Sequence, residues 1–132
     1  MRLRLCLLLL LLVPGVAHTR ERCPIEVIDA DTVRTCEGRI RLRTCNAPER
    51  FMPGGAAAAS RLQDLVDNAD YLELLCHREP ECRDVLNRQL CDLVVDGEDA
   101  CVILVAERYA KPQNRMRLCS RVKPTDRRPL LR

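Results

Sequence analysis

Between residues 23 and 110 the spacing of apolar positions changes repeatedly, and each change marks an element. Residues 23–28 and 32–36 read as two strands joined at Asp29-Ala30. Glu37-Gly38 is the next turn. The strand from Arg39 to Cys45 follows it, with Ile40 and Leu42 on one face and Arg39, Arg41 and Arg43 on the other. Phe51 to Gly55 is irregular. Leu62, Leu65, Val66 and Ala69 then recur at helical spacing and predict a helix from Ala56 to about Ala69. Tyr71 to Leu75 and Leu90 to Val95 read as two further strands, with a polar loop from His77 to Asp84 between them and Asp96-Gly97 as the stop. A second helix runs from about Asp99 to Ala110, ahead of Pro112.

Upstream the pattern is of another kind. Arg2 and Arg4 precede an apolar run from Leu5 to Val13, and Gly15-Val16-Ala17 offers small residues for cleavage. The run is far shorter than the roughly 20 residues a membrane-spanning helix needs. Residues 1–17 are therefore expected to be a signal peptide, leaving a monomer with no stable membrane association, secreted or periplasmic.

Removal of that leader takes Cys6 with it and leaves eight cysteines, at 23, 36, 45, 76, 82, 91, 101 and 119. An even, high count in an exported chain points to disulfides. A zinc–thiolate site is the competing explanation, but there is no Cys-x-x-Cys, and only His18 and His77 could add nitrogen ligands. Pairing the first two strands about Asp29-Ala30 sets Cys23 opposite Cys36 at a non-hydrogen-bonded site, where side chains approach closely enough to bridge. The other six cysteines allow fifteen pairings, and nothing in the sequence chooses among them.

Net charge adds little until it is divided. The whole chain is +3, yet residues 112–132 hold seven Lys/Arg against Asp126 alone, so the body before them is acidic overall. A uniformly basic nucleic-acid coat is excluded, and any phosphate binding must come from local geometry. The segment 112–132 reads as a solvated basic tail, tied down in part by Cys119. Three strands, a helix, two strands and a helix predict an α+β fold, a small five-stranded OB-type β-barrel with two or three helices spanning residues 18–111. An unrelated α+β sandwich would have the same order.

The run VIDADTVRTCEGRIRLRTCNAPE at 27–49 then raises a chemical question, because strands need turns and apolar residues but not this set of charges. VIDADT, IRL and APE, with LNRQLCDLVVDG further along, resemble the ordered motifs of the thermonuclease (staphylococcal nuclease-like) family, across roughly residues 24–110. That resemblance implies Ca²⁺-dependent hydrolysis of phosphodiester bonds in DNA or RNA. By position, Asp31 corresponds to a calcium ligand, Arg41 and Arg88 to the arginines that hold the phosphate, and Glu49 to the carboxylate that activates water. Asn46 stands where the family has a second calcium-binding aspartate, and Ala47 is expected to offer its carbonyl. Two guanidinium forks and a cation suit the charge that builds on phosphoryl oxygens, and a nearby carboxylate suits proton removal.

Each residue also has a plainer reading. Asp31 could serve the turn, Arg41 could belong to a solvated arginine face, Glu49 could pair with Arg50, and Arg88 could be a loop arginine. Three departures separate the chain from the family pattern: Asn46, Ala30 in place of glycine, and Leu86-Asn87 in place of Tyr-Gly. The amide at 46 can still coordinate Ca²⁺ but lacks the unit charge. With no tryptophan, two tyrosines and one phenylalanine, base stacking is slight, and Tyr109 is the candidate for it. A catalytically weak or inactive barrel that binds nucleic acid or protein is the alternative that Asn46 favours. A cysteine-stapled structural protein with no ligand is the third.

Overall fold

The computed structural model describes residues 23–77, 80, 82–113, 119 and 126–130; the leader, Cys6 and His18 lie outside them. Among the described residues, nine strands and two helices are formed: β1 Glu26–Asp29, β2 Thr32–Thr35, β3 Gly38–Leu42, β4 Cys45–Asn46, α1 Gly55–Asn68, β5 Leu72–His77, β6 Gln89–Val95, β7 Glu98–Asp99, α2 Ala100–Ala106, β8 Lys111–Pro112 and β9 Asp126–Leu130. The fold is mixed α+β. A seven-stranded sheet runs β1-β2-β3-β6-β5-β9, with β7 paired to β6, while β4 and β8 form a separate two-stranded ribbon. All neighbours are antiparallel except β3 and β6, which run parallel and set Arg41 beside Leu90.

The sheet does not close into a five-stranded barrel. β9 pairs with β5 along its free edge, from Leu72↔Leu130 to Cys76↔Asp126, and so occupies the edge that closure onto β1 would need. The basic segment after residue 112 is thus not wholly a solvated tail, since its residues 126–130 are a strand. Pro129, which has no N–H for a ladder, is tolerated on this outer strand.

The first hairpin turns one residue later than the expected pairing about Asp29-Ala30. Glu26↔Arg34 and Val27↔Val33 are in one register and Asp29↔Thr32 in the next, so Ile28 is a bulge and Ala30-Asp31 makes the turn. The Ile28 and Val27 carbonyls instead accept from the Arg50 guanidinium, at 2.9 and 3.0 Å. Cys23 nonetheless bonds to Cys36, because the irregular stretch before β1 takes up the shift. The other bridges are Cys45–Cys101, Cys76–Cys91 and Cys82–Cys119, so all eight cysteines among the described residues are paired.

α1 buries Gly55, Ala58, Ala59, Leu62 and Val66, one stripe at helical spacing, and packs it on β1. α2 is capped by Asp99, whose Oδ1 accepts the Cys101 N–H at 2.8 Å, and it packs on β6. It stops at Ala106 rather than Ala110 because Arg108 takes a left-handed conformation with φ 66°. Asp96-Gly97 ends β6 as expected: both have positive φ, which the two-residue turn between Val95 and Glu98 requires. The core lies between the helices and the inner sheet face, with Val33, Leu42, Leu62, Leu74, Leu93 and Leu104 fully enclosed. Among the described residues, no helix is long and apolar enough to cross a membrane.

Candidate functional site

The site forms where the β1–β2 turn meets the middle of β3. Antiparallel register sets Thr32 directly across from Arg41, which leaves Asp31 one residue from the arginine. The Leu42 N–H donates to the Asp31 carbonyl at 2.8 Å and fixes the turn against β3. Alternation alone puts Arg41 on an exposed face with Arg39 and Arg43. Instead its side chain is 10 % exposed, because the chain from Cys45 to Arg50 folds back over the strand. The solvated-face reading therefore does not hold for Arg41.

Asp31 is fully engaged. Arg41 Nη1 lies 2.6 Å from its Oδ1, the Thr32 hydroxyl donates to the same oxygen at 3.0 Å, and the Ala47 N–H donates to Oδ2 at 2.6 Å. On the other side of the guanidinium, Nη2 donates to Asn46 Oδ1 at 2.7 Å and reaches the Cys45 carbonyl at 3.5 Å. A single cation, the Arg41 guanidinium, thus spans both side chains expected to hold calcium.

Glu49 is exposed at the rim. Its neighbour Arg50 donates its backbone N–H to Asp29 Oδ1 at 2.7 Å, and the Arg50 side chain grips the bulged carbonyls of β1. The pairing of Glu49 with Arg50 is therefore replaced by a docking of Arg50 on the hairpin. A second constraint comes from below. The Met52 N–H donates to the Glu49 carbonyl at 2.8 Å, and a Cβ on Gly55 would collide with that carbonyl. Only glycine at 55 lets α1 start so close to the Glu49 backbone. The Glu49 pKa is raised from its ordinary 4.5, chiefly because it hydrogen-bonds to Asp29. Partial burial and the charges of Asp29 and Asp31 add to this, and Arg41 opposes it.

Arg88 arrives from the residue before β6. The parallel β3–β6 pairing aligns the start of β6 with Ile40 and Arg41, which carries Arg88 to the same end of the sheet. Its Nη1 is 3.4 Å from the Thr32 hydroxyl, and its Nε donates to Asp84 Oδ2 at 2.6 Å. Asp84 Oδ1 also accepts the Arg88 N–H at 2.8 Å, closing the loop between the two residues. Asp31, Arg41, Asn46, Ala47, Glu49 and Arg88 are thus brought together, with Thr32 bonded to Asp31 and approached by Arg88. Tyr109 stands apart. It packs against the core and lines a neighbouring cleft of about 510 Å³ that shares Asn46 and Ala47 with the site.

Four contributors escaped the sequence reading as site residues. Thr32 lies inside the aspartate motif, and the Asp84–Arg88 spacing of four is a recognisable pair, so both left a trace. The Arg50 contacts to β1 and the Asp29 contact to Glu49 depend on the chain folding back and left none.

Calcium takes six to eight oxygens at about 2.3–2.6 Å. Here Asp31 Oδ1 and Asn46 Oδ1 already accept from a guanidinium, and Asp31 Oδ2 already accepts the Ala47 N–H, so the three side-chain oxygens expected to face calcium are all engaged by donors. As arranged, these residues do not fit the ion. Among the described residues, the grouping of three metal-type donors within 4.8 Å of one another is His77, Cys82 and Cys119, and both sulfurs are spent in a disulfide. Comparison of the chain with protein-family models and with curated proteins found no match.

Proposed function

We propose that this chain is an exported, nuclease-like phosphodiesterase that hydrolyses DNA or RNA, on an opened OB-type sheet of the staphylococcal nuclease kind. The strand path β1-β2-β3-β6-β5, with its parallel β3–β6 step, supports the fold part of the reading. The observation that carries the function is the arrival of Asp31, Arg41, Glu49 and Arg88 at one end of the sheet from four separate segments. The disulfides suit an oxidising destination, periplasm or medium.

In this reading Arg88, the more open of the two arginines, contacts the phosphate oxygens. Arg41 adds positive charge from beneath while staying bonded to Asp31 and Asn46. Glu49 takes the proton of an attacking water as the water oxygen bonds to phosphorus and the ester bond to the leaving oxygen breaks. Tyr109 offers a ring in the adjacent cleft for a flanking base.

A second reading is favoured by one specific feature. Both terminal nitrogens of Arg41 are already committed, to Asp31 on one side and Asn46 on the other. A site so neutralised stabilises new phosphoryl charge poorly and would suit a binding module. Cleavage of denatured DNA and of RNA by the oxidised protein, beside Glu49→Gln, separates the two. The nuclease reading expects cleavage that falls by about 10²–10⁴-fold in the variant, with binding retained. Binding without cleavage in the wild type would establish the second reading instead.

A further inference from the structure

The Arg41 guanidinium holds the ground that a metal ion would need. It is nearly enclosed, its side chain 10 % exposed, and it is bonded at 2.6 Å to Asp31 Oδ1 and at 2.7 Å to Asn46 Oδ1. These are the oxygens that a cation at this point would have to claim. Charge balance favours the guanidinium. Of the three side chains in direct contact, Asp31 carries one negative charge and Arg41 one positive, and the amide at 46 accepts a hydrogen bond without adding a second anion; Glu49, bonded to Asp29, stands outside this contact. A divalent ion gains strongly from each added unit charge a few ångströms away, whereas a guanidinium is satisfied by one carboxylate and a neutral acceptor. Geometry agrees, since the planar fork matches two acceptors flanking its terminal nitrogens. The third donor, the Ala47 N–H to Asp31 Oδ2 at 2.6 Å, holds the carboxylate in an orientation that suits a hydrogen-bond donor.

We infer that Arg41 is the resident cation of this site, held there by Asn46 as a positioning residue, and that the site does not take up Ca²⁺. The role of Asn46 follows from its chemistry: it secures Arg41 while withholding the charge that would recruit a divalent ion. This inference concerns the cation alone and is independent of whether the site cleaves or only binds.

Calorimetric titration of Ca²⁺ into the oxidised protein, paired with thermal unfolding in millimolar Ca²⁺ or chelator, tests it. Four proteins are compared: wild type, Asn46→Asp, Asn46→Ala and Arg41→Gln. Residue 46 is exposed on the short strand β4, outside the enclosed core, and far-UV circular dichroism of each variant checks that its fold is retained. The expected result is no Ca²⁺ binding and no thermal shift for the wild type. Ca²⁺ binding should appear in Asn46→Asp, at least about tenfold tighter than any limit set for the wild type. Ca²⁺ should also stabilise Arg41→Gln, whose Asp31 has lost its counter-charge. Wild-type binding of Ca²⁺ that Asn46→Ala abolishes would overturn the inference, because it would make residue 46 a ligand. A cleavage assay read alongside keeps the two ideas apart. Cleavage that a chelator stops overturns the inference and leaves the nuclease reading standing, whereas cleavage unaffected by chelator supports both.

Discussion

Removing one partner of the Asp31–Arg41 pair should unfold much of what the site rests on. The two side chains are 2 % and 10 % exposed, so water screens the pair little. Asp31 also accepts from the Thr32 hydroxyl and the Ala47 N–H. Breaking a buried pair by deleting one member leaves an uncompensated charge and costs about 3–5 kcal/mol. Against a total of roughly 5–15 kcal/mol for a domain, that is a large share. Asp31→Asn and Arg41→Met are each expected to lower stability by about 3 kcal/mol. At a urea slope of about 1.5 kcal/mol/M, each then moves the midpoint by about 2 M. With both partners gone, no charge is left buried alone, so the double variant should lose less than the sum of the singles by about 1–3 kcal/mol. The chain has no tryptophan, so far-UV circular dichroism is the readout. Single losses below about 1 kcal/mol that simply add would show that Arg41 reaches solvent, and the geometry described for the site would be refuted.

Three further outcomes follow from named contacts. A Glu whose folded pKa is raised contributes stability that is complete below its ordinary 4.5 and lost as pH rises through the folded value, while its base form appears only above that value. Glu49-dependent cleavage should therefore rise with pH along a limb above 4.5, and Asp29→Asn, which removes the first cause of the shift, should move the limb lower; a limb that stays in place contradicts the Asp29–Glu49 contact. Gly55→Ala forces a methyl into the Glu49 carbonyl and is expected to cut cleavage by tenfold or more with the disulfides still formed, whereas unchanged kinetics would mean that the helix start does not position Glu49. Replacing Cys45 and Cys101 together opens a loop of 56 residues, worth about 4 kcal/mol, and should lower the melting temperature by more than about 10 °C; a shift of a degree or two would mean that this bridge adds no constraint.

Local chemistry was legible in the sequence, and long-range return of the chain was not. Ile40 and Leu42 declared the buried face of β3, Leu62 and Val66 the buried stripe of α1, and Asp96-Gly97 a turn that only positive φ can make. These signals are set by neighbours a few residues away. Arg41 shows the limit: alternation gave it a place on an exposed face, and only the segment bearing Asn46 and Ala47, folding back across β3, encloses it. The bulge at Ile28 had no local signal either, since what stabilises it is the side chain of Arg50, more than 20 residues on. β9 was hidden by its own composition. Asp126-Arg127-Arg128-Pro129 reads as tail because an outermost strand needs little apolar surface, and its docking depends on β5 and on the ion pair of Arg128 with Glu37.

The central claim is that Arg41 on β3 and Arg88, just before β6, act on one phosphodiester. It is tested most directly by following the arginine Nε–Hε signals in nitrogen-15 correlated NMR spectra while a non-hydrolysable phosphorothioate dinucleotide is added. The signals of Arg88 and Arg41 should shift together along one binding curve, and Arg88→Met should abolish the Arg41 shift. If Arg88 moves while Arg41 does not, or if both are silent as the ligand binds elsewhere, the two guanidinium groups do not share a phosphate and the account is contradicted.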